Sequence, residues 1–594
     1  MAFQVSPGVE VKEIDLTNVI PAVSTSIGAF AGHFSWGPVG EVKLVSSEKE
    51  LINEYGVPVD TTTGGQYDNY TSFLQAASFL KYSNTLRISR ACSTNAKTAA
   101  GSRHGADTDV VRINNEDAFD SLASFSPSGG SKPGVVQARC PGTAGNSIQS
   151  KFAINIVNGG NFDDSDLNNN VSSLPTTTAW AAANVASDAK DEIHIAIIDE
   201  DGVFSGVKGT ILEIYEGLSM YSDAVKDGGS NYYKTVINRD SKYVFINEAA
   251  FAAEFTGTTH ASPGNAGSSG KKFNSTNIAS TSSGNSAFSF SLVNGVDGSS
   301  VADCSAKANV HTALAQFQNP EAIDINLLFA EADPDDGLFS IGNEVTRICG
   351  TARKDCVGFI SPHPTAFDAS TVKADLSYNN SYVVLDSSAV YVYNKYNDSY
   401  RYIPANGHIA GLCARTDDTN DPWFSPAGYN RGNLLGVTKL KWNPTKSDRD
   451  TLYKAGINPI ISEPGQGILL FGDKTAQSKP SAFDRINVRR LFVVLEKAIS
   501  TASKFQLFEL NDEFTRAMFR NMTEPFLRDV KGRRGITDFL VVCDETNNTG
   551  GVIDTNRFVA DIYIKPARSI NFITLNFVAT RTGVEFSEIV GTGN

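Results

Sequence analysis

Asp324-Ile-Asn-Leu-Leu-Phe-Ala330, then Asn343-Glu-Val-Thr-Arg-Ile-Cys-Gly-Thr-Ala-Arg353, then Cys356-Val-Gly-Phe-Ile-Ser361: these three pieces decide the fold class. The first and third are short and almost wholly apolar, as strands buried on both faces must be. The second reads as a helix. Strand, helix and strand at this spacing predict a parallel pair joined by a right-handed crossover, the unit of an α/β sheet.

Toward the C-terminus, Ser381–Asp386 and Ala389–Asn394 are strand-like, and Pro404 is placed to open a helix through Arg415 as a first-turn proline. Val488, Leu491, Leu495, Ala498, Ile499 and Ala502 form one helical stripe. A second helix, Asp512–Met522, is expected to stop before Pro525. Ile536–Val542, Phe558–Lys565, Ile570–Ala579 and Val584–Val590 are strand candidates. Toward the N-terminus, Ile27–Phe34 is a small apolar run punctuated by Trp36-Gly37-Pro38. Phe73, Leu74, Ala77 and Leu80 fall at helical spacing before a strand at Leu86–Ser89. At the start, Phe3, Val5, Pro7, Val9 and Val11 alternate with polar residues, the period of a strand with nothing local to pair with.

The middle differs. Residues 91–320 hold 15 Lys/Arg against 23 Asp/Glu and are rich in Gly, Ser, Asn and Thr, as in Gly257–Ser300. Strand-like runs at Ala153–Val157, Ile193–Asp199 and Tyr243–Ile246 predict one or two inserted β-rich domains. Long structureless loops are the alternative, but these are uncommon.

The chain has 594 residues, 41% apolar and 20% charged, an ordinary folded composition with room for several cores. Its net charge of −14 argues against coating nucleic acid or anionic lipid over the whole surface. Seven scattered cysteines without a CxxC pair read as reduced thiols in a protein made in the cytoplasm. The N-terminus has no secretory signal pattern and no apolar run approaches a membrane span, so a soluble chain is expected.

No catalytic or metal constellation emerges. The seven histidines show no HExxH and no close pair, so no metal and no cofactor are expected. Gly467-Ile-Leu-Leu-Phe-Gly472-Asp473-Lys474-Thr475 imitates a phosphate loop. Asp473 displaces the lysine, however, and the apolar spacer reads as a buried strand. The acidic pairs Asp335-Asp336 and Asp417-Asp418 lie in turn-like text and read as solvated loops. One charge feature stands out: residues 481–540 carry 11 Lys/Arg against 8 Asp/Glu. Arg489, Arg490, Lys497, Arg516 and Arg520 are among the cations. They make either an ordinary helix surface with interleaved salt bridges or a contact face for an acidic partner.

Several motifs, in order, resemble the contractile tail sheath proteins of T-even-like (myovirus) bacteriophages. These are Ser6-Pro-Gly-Val-Glu-Val-Lys-Glu13, Gly28-Ala-Phe-Ala-Gly-His-Phe-Ser-Trp-Gly-Pro38, Leu51-Ile-Asn-Glu-Tyr-Gly56, Ala427-Gly428 with Arg431-Gly432, Tyr453-Lys-Ala-Gly-Ile-Asn-Pro-Ile460, Phe471-Gly-Asp-Lys-Thr475 and Ile486-Asn-Val-Arg-Arg-Leu491. The resemblance covers the chain to Ala91 and everything after residue 320. The middle matches nothing named.

The resemblance implies an α/β and α+β multidomain protein with an inner α/β sheath core formed by both chain ends and β-rich inserted outer domains. Its expected parts are an N-terminal arm 1–20, core 21–91, insertion 92–320, core 321–450, inner tube-facing domain 451–579 and C-terminal arm 580–594. It implies no enzyme but a structural subunit, polymerising as stacked hexameric rings around a tail tube and contracting to deliver the genome. The implied partners are itself, the tail tube protein, and the baseplate and tail terminator proteins, with no direct nucleic acid and no membrane insertion. The location is the virion tail, assembled in the host cytoplasm. Phe3, Val5, Val9 and Val11, with Val584, Phe586 and Ile589, are the implied inter-subunit arm residues, adding strands to neighbouring sheets. Arg489, Arg490, Lys497, Arg516 and Arg520 become tube-facing candidates. A subunit of a phage-derived tailocin or injection machine shares the same physics. A hydrolase with a β-rich accessory module is the remaining alternative, and it lacks a polar cluster to support it.

Overall fold

Gly28–His33 forms strand β1, buried along its whole length. Small residues allow this: a Cβ on Gly28 would stand 2.5 Å from the Phe79 ring. The computed structural model describes residues 24–59, 69–101, 112–122, 136–154, 170–173, 175–185, 191–247, 287–300, 303, 306–331, 341–364, 366–571 and 573–575. The expected arm strands at Phe3–Val11 and Val584–Val590 lie outside these residues. After β1 come β2 (Val42–Val45), helix α1 (Glu48–Tyr55), helix α2 (Tyr70–Leu80) and β3 (Leu86–Ala91). Ser47 caps α1 by accepting the Glu50 N–H. α2 buries Phe73, Leu74 and Ala77 of the predicted stripe, with Leu80 half-buried, and it buries Phe79 besides.

The middle region is β-rich, as its strand-like runs predict. β4 (Thr98–Gly101), β5 (Val136–Pro141) and β11 (Val244–Ile246) make a three-stranded antiparallel sheet. β6 (Ile148–Ile154), β7 (Glu192–Asp199), β8 (Thr210–Ser219) and β12 (Ala287–Ser291) make a four-stranded one, and β9 (Val225–Lys226) and β10 (Gly229–Ser230) a small ribbon. One apolar cluster, with Val136, Ala138, Phe152, Ile195, Val244 and Phe290, draws on both larger sheets, so they share a core. Trp36, from the Trp-Gly-Pro turn, joins that cluster, its ring 5.1 Å from Phe204.

The α/β pattern resumes before residue 320. Helix α3 (Lys307–Ala315) packs on β1 and β3 and gives Val310, Ala313 and Leu314 to the sheet's core. β13 (Leu327–Ala330), helix α4 (Ile341–Arg347) running on as a π-helical turn over Ile348–Arg353, β14 (Val357–Ile360) and β15 (Val383–Asp386) follow. β13 and β14 are parallel, with Leu327 opposite Val357, as the opening stretch predicts. With β19 (Ile457–Asn458) they complete a seven-stranded sheet in the order β19-β15-β14-β13-β1-β3-β2, in which only β2 runs antiparallel.

Period-2 alternation divides this sheet's residues between two cores. Phe30, Ile88, Phe329, Phe359 and Val384 face one side, and Ala29, Ala31, Leu328, Val383 and Leu385 the other. Helix α5 (Asn406–Thr419) lies with α2 on the first side. It starts at Asn406 and not at Pro404, and runs past Arg415. Its Gly407 permits close approach: a Cβ there would meet the Gln75 carbonyl at 2.4 Å, backbone against backbone. Gly407→Ala is therefore expected to cost about 1–3 kcal/mol by prising α5 from α2. Chemical denaturation measures it, and an unchanged midpoint would show the packing to be slack.

β16 (Val390–Asn394), β17 (Ser399–Ile403) and β18 (Val437–Leu440) form a separate antiparallel sheet, and β20 (Ile460–Glu463) and β21 (Gly467–Leu470) a hairpin. Helix α6 (Ile486–Ser503) buries Val488, Leu491, Leu495, Ala498 and Ala502. The chain divides into two compact units at Leu507/Phe508, so the expected boundary at 450/451 falls inside the larger one: β19 belongs to its main sheet.

The second unit holds helix α7 (Glu513–Gly532), β22 (Ile536–Val542) and β23 (Asp561–Pro566). α7 does not stop before Pro525 but runs through it. Pro525 is exposed, so water can satisfy the carbonyl it leaves unbonded, while Leu527 and Val530 beyond it are buried and hold the helix on. The strand expected at Ile570–Ala579 is absent from its described residues, which have no regular structure.

Candidate assembly surfaces

The phosphate-loop imitation is a buried hairpin strand: Ile468, Leu469 and Leu470 are inaccessible on β21, paired antiparallel with β20. Lys474 Nζ donates to the Tyr453 carbonyl at 2.7 Å and lies 4.1 Å over the Tyr453 ring, while Asp473 pairs with Arg485 at 3.1 Å. Both charges are used internally.

In an open parallel sheet, ligands favour the C-terminal strand ends where the winding reverses. That point lies between β1 and β13, and the buried His33 Nδ1 sits 2.7 Å from Oε2 of the half-buried Glu331 there. Nearby, Gln75 Nε2 donates to Asn406 Oδ1 at 2.8 Å, and the Asn406 N–H donates to Ser361 Oγ. These polar side chains are bonded to one another. Among the described residues no three His, Cys, Asp or Glu side chains converge as a metal site, and no helix is long and apolar enough to cross a membrane.

The basic candidates do not form an exposed stripe. Arg489 is buried in the larger unit, its guanidinium 4.1 Å from the Tyr382 ring and 4.0 Å from Phe483, with Nη2 donating to Ser381 Oγ at 2.7 Å. Arg490 is buried against Asp417. Lys497 pairs with Asp324. In the second unit Arg516 is buried and donates to Asn511 Oδ1 at 2.9 Å, and Arg520 is half-buried. Some of these five are expected to face the tube; Arg489, Arg490 and Arg516 are buried and bonded within their own units, which leaves Lys497 and Arg520 as the accessible candidates.

The second unit's hairpin is different. Along β22 and β23 one face is covered, with α7 packed on β22, and the other is open. On the open face Leu540 lies opposite Tyr563, 58% and 60% exposed, and Asp538 opposite Lys565. Among the described residues each strand pairs along one edge and leaves the other unpaired. A two-stranded sheet with free edges is marginal alone and is a template for further strands. In the same unit Phe508, Leu510, Phe514, Ile570, Ile573 and Leu575 are exposed, far more apolar surface than scattered residues leave.

Residues 306–476 match the phage tail sheath protein central domain, and residues 478–580 the phage tail sheath C-terminal domain. The tail sheath protein of Vibrio phage KVP40 is 34% identical, with 99% of each chain covered, and that of Enterobacteria phage T4 is 33% identical, again over 99% of each. The chain belongs to the phage tail sheath proteins. Such proteins are structural components of the virion. A solved sheath tail protein, Lin1278 of Listeria innocua, has the same fold, with a TM-score of 0.51 at 12% identity over 93% of this chain and 97% of that one.

For a sheath protein the functional residues are those that meet other subunits. The open hairpin was legible as two strand candidates, Ile536–Val542 and Phe558–Lys565. The exposed apolar run Phe508, Leu510 and Phe514 was not singled out. Its signal is there in the sequence: large apolar residues that continue past the end of a helical stripe without joining its period.

Proposed function

We propose that this sheath protein polymerises as stacked hexameric rings around a tail tube and contracts to drive the tube through the host envelope. The open hairpin β22–β23 carries the reading. Arms containing Phe3, Val5, Val9 and Val11 at one end, and Val584, Phe586 and Ile589 at the other, add strands to the free edges of this hairpin in neighbouring copies. Each added backbone hydrogen bond contributes about 1 kcal/mol net, so a short arm contributes several and keeps subunits linked while their packing changes. Contraction exchanges a metastable packing for one with more extensive contacts, so the work needs no nucleotide and no catalytic site. The further partners are the tail tube, baseplate and tail terminator proteins, without nucleic acid or membrane insertion, and assembly takes place in the host cytoplasm.

The tube is held through screened ion pairs, each about 0.2–1 kcal/mol and so readily released. Arg520, with the exposed Arg528, Lys531 and Arg533 of the same helical region, is suited to this. Electron microscopy of the purified chain is expected to show hollow striated polymers. Removing residues 1–20 or 580–594 is expected to abolish them while leaving each subunit folded. Regular polymers from either truncation would refute the arm assignment.

A further inference from the structure

The sheet β17-β16-β18 has one face in the core, through Val390, Val392, Ile403 and Leu440. Its other face carries four tyrosines in two cross-strand pairs, Tyr391 opposite Tyr402 and Tyr393 opposite Tyr400. Ring centroids lie 4.5 Å apart for Tyr391–Tyr402, 5.3 Å for Tyr391–Tyr400 and 5.0 Å for Tyr393–Tyr400, a continuous ladder. Tyr393 and Tyr400 are 45% and 46% exposed. Lys439, opposite Tyr391 on β18, is exposed, and Lys441 Nζ stands 4.7 Å over the Tyr402 ring. Asp398 accepts the Tyr393 hydroxyl at 2.8 Å.

Four aromatic rings on the solvent side of a sheet whose core face is already filled add nothing to that core. Tyrosines offer large contact area at low entropy cost and dominate many interfaces. Against the single carboxylate of Asp398, the two lysines give this ladder a small positive excess on a chain of net charge −14. The matching acid excess lies in the chain's own residues 91–320, with 15 Lys/Arg against 23 Asp/Glu and exposed carboxylates at Glu200, Asp201, Asp223 and Asp227.

We propose that the tyrosine ladder flanked by Lys439 and Lys441 docks the acidic middle region of a second copy of this chain, an inference that rests on the sheath-subunit reading. Single-stranded nucleic acid also stacks on aromatic platforms beside cations, but the net charge of the whole chain repels a polyanion at long range. A neighbouring copy brings a moderate, local acid excess instead.

The test places a photo-crosslinking amino acid at Tyr400 in the full chain and irradiates purified polymers. The expected product is a covalent dimer whose linked peptide lies within residues 91–320 of the second copy. Lys439→Glu with Lys441→Glu, and separately Tyr393→Ser with Tyr400→Ser, are expected to lower the polymerised fraction about tenfold at low salt with an unchanged melting curve. Crosslinks to another region, full polymerisation by both variants, or crosslinking to an added single-stranded oligonucleotide in preference to protein would each overturn the inference while leaving the sheath reading intact. A wild-type chain that forms no polymer fails the sheath reading and takes this inference with it.

Discussion

Replacing Arg490 with alanine is expected to destabilise the larger unit by about 3–5 kcal/mol. Arg490 Nη2 donates to both Asp417 oxygens, at 2.7 and 2.5 Å, and Nη1 to the Cys413 carbonyl at 3.3 Å. Each partner's side chain is only 4% exposed. Burial pushes the Asp417 carboxyl above its usual range even with the guanidinium beside it, so the carboxylate does not recover all of its desolvation cost. For Arg490 the opposing effect of burial is outweighed by Asp417, and its guanidinium is held above its usual value. The large effect comes from what the single substitution leaves behind, an uncompensated buried carboxylate between α5 and α6. Arg490→Met combined with Asp417→Leu removes both charges at similar volume and is expected to return most of the loss. Urea midpoints of the two variants measure this directly. A single Arg490→Ala within about 1 kcal/mol of wild type would mean that water reaches Asp417.

The same residue shows where sequence reading stops. The parallel sheet was legible because a strand buried on both faces is uniformly apolar, and Asp324–Ala330 and Cys356–Ser361 have no other physical use. The stripe of α6 was legible for a similar reason. The charge of Arg489 and Arg490 suggests exposure, yet both are buried. A hint was present: their neighbours one helical turn away are Arg485, Ile486, Asn487, Phe492, Val493 and Val494, with no acid to pair with. An arginine set among apolar residues without a local partner points to a distant one, and Asp417 lies 73 positions back. Pro525 misled in the opposite direction. Local propensity said stop, and burial of Leu527 and Val530 overrode it. The boundary expected at 450/451 falls before β19, which is two residues long, too short for any periodic signal. The tyrosine ladder depends on register: only the pairing of β16 with β17 brings Tyr391, Tyr393, Tyr400 and Tyr402 onto one face.

Asp386→Asn is expected to stabilise the larger unit, and to do so in a pH-dependent way that identifies the cause. Asp386 ends β15 fully buried, with Ser361 Oγ 2.5 Å from Oδ2 and the Ser388 N–H 3.4 Å from Oδ1. Burial pushes its carboxyl up to about 7, the serine contacts only partly opposing this. The unfolded chain releases the same proton near the ordinary carboxylate value of 3.8. Between about pH 4 and pH 7 the folded state therefore holds a proton that the unfolded state has lost, and stability falls as pH rises through this window. Below it both states are protonated and the group contributes nothing. Above it the penalty is complete, as much as about 4 kcal/mol from the difference between the two values. Asparagine imitates the protonated acid: its Nδ2 can donate to Ser361 Oγ and its Oδ1 can accept the Ser388 N–H. The variant should match wild type near pH 4 and gain steadily up to pH 7, with no further gain beyond it. Denaturation midpoints at a series of pH values give this curve. A pH-independent offset between the two proteins would place the effect in packing, and a loss of stability at pH 8 would show that the ionised carboxylate is held by a partner.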